Sequence, residues 1–159
     1  MKPEEFAKRV SLVKPRLYRT ALLYLGSEHL AKEAVAEAEY KAFISIKKLH
    51  HPEQFETWLT RILMNECKKT SHRLKQEMPH KPAYEPSTED FNVLPLKEAI
   101  VKLPNELKEV VILRYFSSFT VSQTAQSLDI PQDTVTTRQH RALQLLDLEL
   151  LQLIKPEII

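Results

Sequence analysis

Residues 118–143 read SFTVSQTAQSLDIPQDTVTTRQHRAL, and the fold turns on how this stretch is read. Thr120 and Gln123 stand at capping-box spacing, which starts a helix at Val121. Val121, Ala125 and Leu128 fall on one face of that helix. Asp129 and Ile130 form a turn, and Pro131 opens a second helix that continues through Val135, Ala142, Leu143, Leu146 and Leu150. Two helices joined so tightly make a helix-turn-helix, with Val121, Ala125, Leu128, Ile130 and Val135 as its small core. Ala125 is small where the helices must cross closely. The outer face of the second helix then carries Thr134, Thr137, Arg138 and Arg141. Arginine pairs bidentately with guanine in a major groove, and threonine reaches phosphate or a thymine methyl. The helix N-terminus adds backbone donors for phosphate. Taken alone, the pattern fits a DNA-binding helix-turn-helix and also a plain helical hairpin.

Composition narrows the surroundings. The 159 residues suit one ordinary domain or two small ones. One glycine against ten prolines argues against glycine-turned hairpins and Gly-rich phosphate loops, so an all-α chain is expected. Cys67 is the single cysteine, which excludes an internal disulfide or a CxxC metal site. The first ten residues, MKPEEFAKRV, are charged, and no run of 18 apolar residues follows. A cytoplasmic, soluble protein without membrane insertion is the expectation.

Residues 78–92, MPHKPAYEPSTEDFN, carry three prolines and no apolar period. They read as a linker, placed at 78–93, between helical domains at 1–77 and 94–159. In the first domain, helical spacing runs through Val13, Leu17, Tyr18, Ala21, Leu22 and Leu25, then from Ala31 to Ile46, then through Phe55, Trp58, Leu59, Ile62 and Leu63. Ser27 looks like a helix start and Pro52 suits a first helical turn. The third helix turns basic at its end, with Lys68, Lys69, Arg73 and Lys75. In the second domain, LPLKEAIVKL is a helix ended by Pro104, and NELKEVVILRYF follows. Residues 1–78 hold 15 Lys/Arg against 10 Asp/Glu, whereas 94–159 hold 7 against 8. The basic first half suits a polyanionic partner, as does many an ordinary soluble surface.

The stretch from Leu103 to Leu143 resembles region 4 of extracytoplasmic-function (ECF) sigma factors of the sigma-70 family. Leu103, Pro104, Val110, Leu113, Arg114, Ala125, Leu128, Ile130, Pro131, Thr134, Val135, Arg138, Arg141 and Ala142 carry the likeness. RLYRTALLYLGSEHLAKEAVAEAEYKAF and FETWLTRILMNECKKTSHR resemble region 2 of the same family, in the family's order. The resemblance implies binding to core RNA polymerase and promoter DNA, with an anti-sigma factor as a further candidate partner. It makes Thr134, Thr137, Arg138 and Arg141 contacts to the −35 element. It implies that region 2 captures a flipped base near Leu49–Phe55 and follows the strand with Asn65, Lys68, Lys69 and Arg73 at the −10 element. Glu33 and Glu37 become contacts to the polymerase clamp. Each of these has a plainer reading: Trp58 as core, Asn65 as a local bridge, the cations as a solvated face, and Glu33 with Glu37 as surface ion pairs.

Several positions depart from the family pattern. Ala34, Ala36 and Glu39 stand in the clamp-binding helix, where Glu39 replaces an aromatic; Thr124, Asp129, Thr136 and Gln139 stand in the helix-turn-helix. Arg114 follows an apolar run and reads as structural. The leucine-rich tail after Ala142 is more apolar than one small domain needs, and either packs on another element or is buried in its own. Two other functions compete. One is a stand-alone DNA-binding regulator. The other is a helical metalloenzyme using His50, His51, His72 and Cys67, which no HExxH or acid–base pair supports. No catalytic residue, metal or cofactor is expected.

Overall fold

The computed structural model describes residues 1–77 and 94–158. The expected linker, 78–93, lies outside the described residues, and so do the side chains of the tail from 148 onward. The described residues form seven α-helices and contain no strand.

Helix α1 spans Pro3–Leu25, with proline at its start, where no amide donor is needed. Phe6, Val10, Val13, Leu17, Ala21 and Leu25 recur every three or four residues and are buried. Gly26, at φ 72°, ends the helix in the left-handed conformation that a side chain disfavours. The expected start at Ser27 is borne out: its hydroxyl caps α2 (Glu28–Ile44) by accepting from Leu30 N at 3.3 Å. Ala31, Ala34, Ala38 and Ala42 are buried on α2, and their small side chains allow α1 and α3 to approach closely. Two 3-10 turns, Ile46–Lys48 and Pro52–Gln54, lead into α3 (Phe55–Glu77). Phe55, Leu59, Leu63, Met64 and Cys67 bury the inner stripe of α3, while Trp58 is half-buried at its edge.

The second half begins with α4 (Leu94–Lys102) and α5 (Asn105–Val111), separated at Pro104 as expected. The chain then widens into a π turn at Ile112–Phe116, with Ser117 N donating to Ile112 O at 3.0 Å. Helices α6 (Val121–Leu128) and α7 (Gln132–Ile158) complete the fold.

The halves do not stand apart. Helix α3 packs on α6, and α1 packs on α4 and on the π turn. One apolar cluster runs from Phe6 through Leu63 and Val110 to Leu146, crossing the boundary. Polar contacts cross it as well. Ser127 Oγ donates to Thr57 O at 3.1 Å, the Thr20 and Ser117 hydroxyls meet at 2.9 Å, and Lys108 Nζ donates to Tyr24 O at 3.0 Å. At the surface Arg61 pairs with Asp129 at 3.0 Å.

Candidate nucleic-acid interface

The helix-turn-helix is built as its sequence pattern implies. Thr120 Oγ1 accepts from Gln123 N at 3.0 Å, and Gln123 Oε1 accepts from Thr120 N at 2.9 Å, which closes the capping box. Asp129 takes a left-handed conformation, φ 56°, at the end of α6. A short polar side chain tolerates that conformation, so aspartate holds the turn at modest cost. Ile130 N then donates to Ala125 O at 3.1 Å, and Pro131 O accepts from Thr134 N and Val135 N at 3.1 and 3.2 Å. Val135 is fully buried and fixes the rotation of α7.

With that rotation set, Thr137 and Arg141 are exposed and Thr134 and Arg138 are half-buried on the N-terminal part of α7. Thr136 and Thr137 donate their hydroxyls to Gln132 O and Asp133 O at 2.8 and 2.9 Å. Their methyl groups and remaining lone pairs stay available. Gln139, one of the positions that depart from the family pattern, has a clear local purpose. Its Oε1 accepts from Arg114 Nε at 2.8 Å and its Nε2 donates to Tyr115 Oη at 3.0 Å. Arg114 also donates to Phe119 O at 2.6 Å, so the structural reading of Arg114 is borne out. This network ties α7 to the π turn.

The cations of α3 are placed less uniformly. Asn65 and Arg73 are exposed. Lys69 leans toward Glu66 at 3.6 Å, and Glu66 is held by Lys41. Lys68 points the other way, across the boundary, and pairs with Glu109 Oε2 at 2.9 Å. Glu33 and Glu37 share a cleft of about 590 Å³ with Glu66, Lys69, Thr70 and Arg73. The acids expected to face the polymerase and two cations expected to face DNA therefore line one surface. Glu39 is engaged too, with Lys14 at 3.2 Å.

A buried ionisable group at the boundary was not legible in the sequence. Glu109 is 3% exposed, and burial raises its carboxyl pKa against the pull of Lys68 and Arg138. Lys68 approaches it from α3; Arg138 Nη1 lies 4.0 Å away on α7, with Nη2 3.9 Å from Glu106. Neighbouring Lys108 is also buried, its ammonium 4.3 Å from the centre of the Tyr24 ring. Burial, with the Lys75 charge adding, lowers its pKa from 10.5 to about 8. Leu107, Val110 and Val111 mark one inner face of α5, so helical periodicity puts Lys108 and Glu109 toward solvent. They are covered because the first half packs on that other face.

The proposed metal ligands do not converge. Cys67 is enclosed in the core, and burial pushes its thiol up to about 12. His50 and His51 lie on the surface loop before α3, and His72 contacts Gln76 at 3.1 Å. Among the described residues no three His, Cys, Asp or Glu side chains are grouped to hold a metal. No helix of the described residues is long and apolar enough to cross a membrane.

Residues 10–77 match the family model for sigma-70 region 2, and residues 94–146 match the model for sigma-70 region 4. The chain belongs to the ECF group of the sigma-70 family. The ECF RNA polymerase sigma factor SigW of Bacillus subtilis (strain 168) is 28% identical to this sigma factor over 161 residues, covering 87% of this chain and 84% of the relative. The RNA polymerase sigma factor SigV of the same organism is 27% identical over 142 residues, covering 86% of each. Solved structures share the fold. The sigma factor RpoE of Bartonella quintana, in complex with the anti-sigma factor NepR, superimposes with a TM-score of 0.79. It is 22% identical, and the match covers 92% of this chain and 97% of that one. CnrH, in complex with the cytosolic domain of CnrY, gives a TM-score of 0.73 at 18% identity, over 94% of this chain and 89% of that one. Both regions are present in one chain in the expected order, which disfavours the stand-alone regulator. The function is that of an RNA polymerase sigma factor, a transcription initiation factor.

Proposed function

We propose that this sigma factor binds core RNA polymerase through the α2 face carrying Glu33 and Glu37 and delivers it to promoters with two separate reading surfaces. Thr134, Thr137, Arg138 and Arg141 on α7 contact the −35 element. Asn65, Lys68, Lys69 and Arg73 on α3 follow the −10 strand. The functional units are residues 1–77 and 94–159, with 78–93 between them. The observation that carries this reading is the capped helix-turn-helix with Arg141 exposed beyond it, in one chain with a region 2 whose third helix ends in cations. Each phosphate neutralised by such cations releases counterions, so binding should fall steeply with salt. The relatives solved with anti-sigma factors support the same class of partner for this chain. It acts in the cytoplasm, as a binding factor and not as an enzyme.

Run-off transcription with core polymerase on a promoter library tests the proposal. A transcript set shared by several templates is expected. Arg141→Ala should weaken −35-dependent initiation by roughly one to two orders of magnitude, the range for loss of a bidentate base contact. No initiation on any template would overturn the proposal.

A further inference from the structure

Two of the cations assigned to nucleic acid sit on opposite halves of the chain, Lys68 on α3 and Arg138 on α7. Both are turned toward the same buried carboxylate, Glu109. A surface lysine loses little by pairing with DNA, but Glu109 is 3% exposed and cannot be left without a cation cheaply. We infer that Glu109 is an internal latch: it holds the two halves of the free sigma factor closed through Lys68, and withdraws Lys68 from DNA until the halves part.

The inference rests on the proposed promoter contacts, and geometry supports it independently of charge. The −10 and −35 elements lie about 25 base pairs apart by their names, or about 85 Å at 3.4 Å per pair. A compact chain of this length has a radius of gyration of about 15 Å and is about 40 Å across. The closed molecule therefore cannot lay α3 and α7 on both elements at once. Four further contacts close with the latch: Ser127 on Thr57, Thr20 on Ser117, Lys108 on Tyr24 O, and Arg61 on Asp129. The first two have counterparts in water, and the last is exposed. Lys108 and Glu109 are the charges whose burial depends on both halves being in place, and of the two Glu109 is the one with an ion-pair partner across the boundary. The groups facing it are Lys68 from α3, Arg138 from α7 and Glu106 from its own helix.

The full-length chain is compared with Glu109→Gln and Asp129→Asn. Glutamine keeps the shape of Glu109 and removes its charge. Asparagine keeps the left-handed turn and removes the Arg61 pair. Small-angle X-ray scattering reads the radius of gyration. Fluorescence anisotropy on a promoter duplex, without polymerase, reads affinity against salt. For Glu109→Gln we expect a radius larger by several Å, affinity higher by about three- to tenfold, and a log–log salt slope steeper by about one. That slope corresponds to one released cation, Lys68, at about 0.9 per phosphate. Asp129→Asn should shift the same quantities in the same direction by up to about fivefold in the open population, the ceiling for an exposed pair. If Glu109→Gln loses its helical circular dichroism, Asp129→Asn decides alone. Radius and slope unchanged in the folded variants would overturn the latch. Run-off transcription by the unaltered chain separates the two ideas. Transcripts with an unchanged radius sink the latch and leave the function standing. An enlarged radius without transcripts sinks the function and leaves the latch.

Discussion

Lys108 shows how one side chain at the boundary sets the chemistry around it. Among the described residues its ammonium makes no ion pair with a carboxylate; it donates to Tyr24 O and faces the Tyr24 ring. With its pKa lowered to about 8, the folded chain releases this proton well before the unfolded chain, which holds it up to about 10.5. The unfolded state then carries more protons between those values, so stability rises with pH across that window. Two neighbours act in the opposite sense. Burial raises the Cys67 thiol from 9.0 to about 12, and burial raises the Tyr24 hydroxyl above its usual 10.0. Each holds its proton in the folded state after the unfolded chain has lost it, so Cys67 lowers stability above about pH 9 and Tyr24 above about pH 10. Urea unfolding should therefore show stability climbing from pH 8 to about 9, flattening, and then falling. Lys108→Met should abolish the climb and raise stability at pH 7 by up to about 3 kcal/mol, because burial makes the charged ammonium costly to hold. A flat profile for the unaltered chain across pH 8–9 would remove Lys108 from this role.

At the scale of the element, the second half shows what sequence can and cannot carry. The capping box at Thr120 and Gln123 is local, with both bonds made within three residues, and it was legible from two letters. Thr120→Ala should destabilise the chain by about 1 kcal/mol, read as a lower urea midpoint with an unchanged slope. The starts at Ser27 and Pro52 and the break at Pro104 were legible for the same reason. The π turn was not, because Ile112–Phe116 reads as a continuation of α5, and what surrounds it comes from distant helices: α1 and α6 pack on it, and Gln139 of α7 bonds to Arg114 and Tyr115. Gln139 departs from the family pattern, and its amide bridges Arg114 and Tyr115. Gln139→Ala leaves Arg114 with its bond to Phe119 O and removes the tie to α7. We expect a loss of about 1 kcal/mol, with the affinity of the isolated chain for a promoter duplex falling as the helix loosens. The candidate site followed the same division. The positions of Thr134, Thr137 and Arg141 on α7 follow from helical period once Val135 is buried. The sharing of Glu109 by Lys68 and Arg138 depends on a contact 41 residues long between Lys68 and Glu109, which no local pattern encodes.

For the molecule as a whole, the apolar cluster crosses the boundary, so the halves should not melt independently. Tyr24 and Leu63 from the first half and Ile100, Val110 and Ile112 from the second are almost fully buried within this one cluster. Separating the halves exposes part of that surface at roughly 25 cal/mol per Å², and it strands Glu109 as well. Opening is therefore a cost that polymerase and promoter contacts must jointly offset, which makes the free chain a weak DNA binder and the assembled one a strong binder. Differential scanning calorimetry of the full chain at pH 7 should give one transition, with calorimetric and van't Hoff enthalpies equal. Adding core polymerase should divide hydrogen exchange at the boundary. Amides around Ser117 and Ser127 should become less protected as α1 and α3 move away, while amides inside α2 become more protected by docking. Two resolved transitions in the free chain, or unchanged exchange at Ser117 and Ser127 on binding polymerase, would mean that the closed packing has no part in the working cycle.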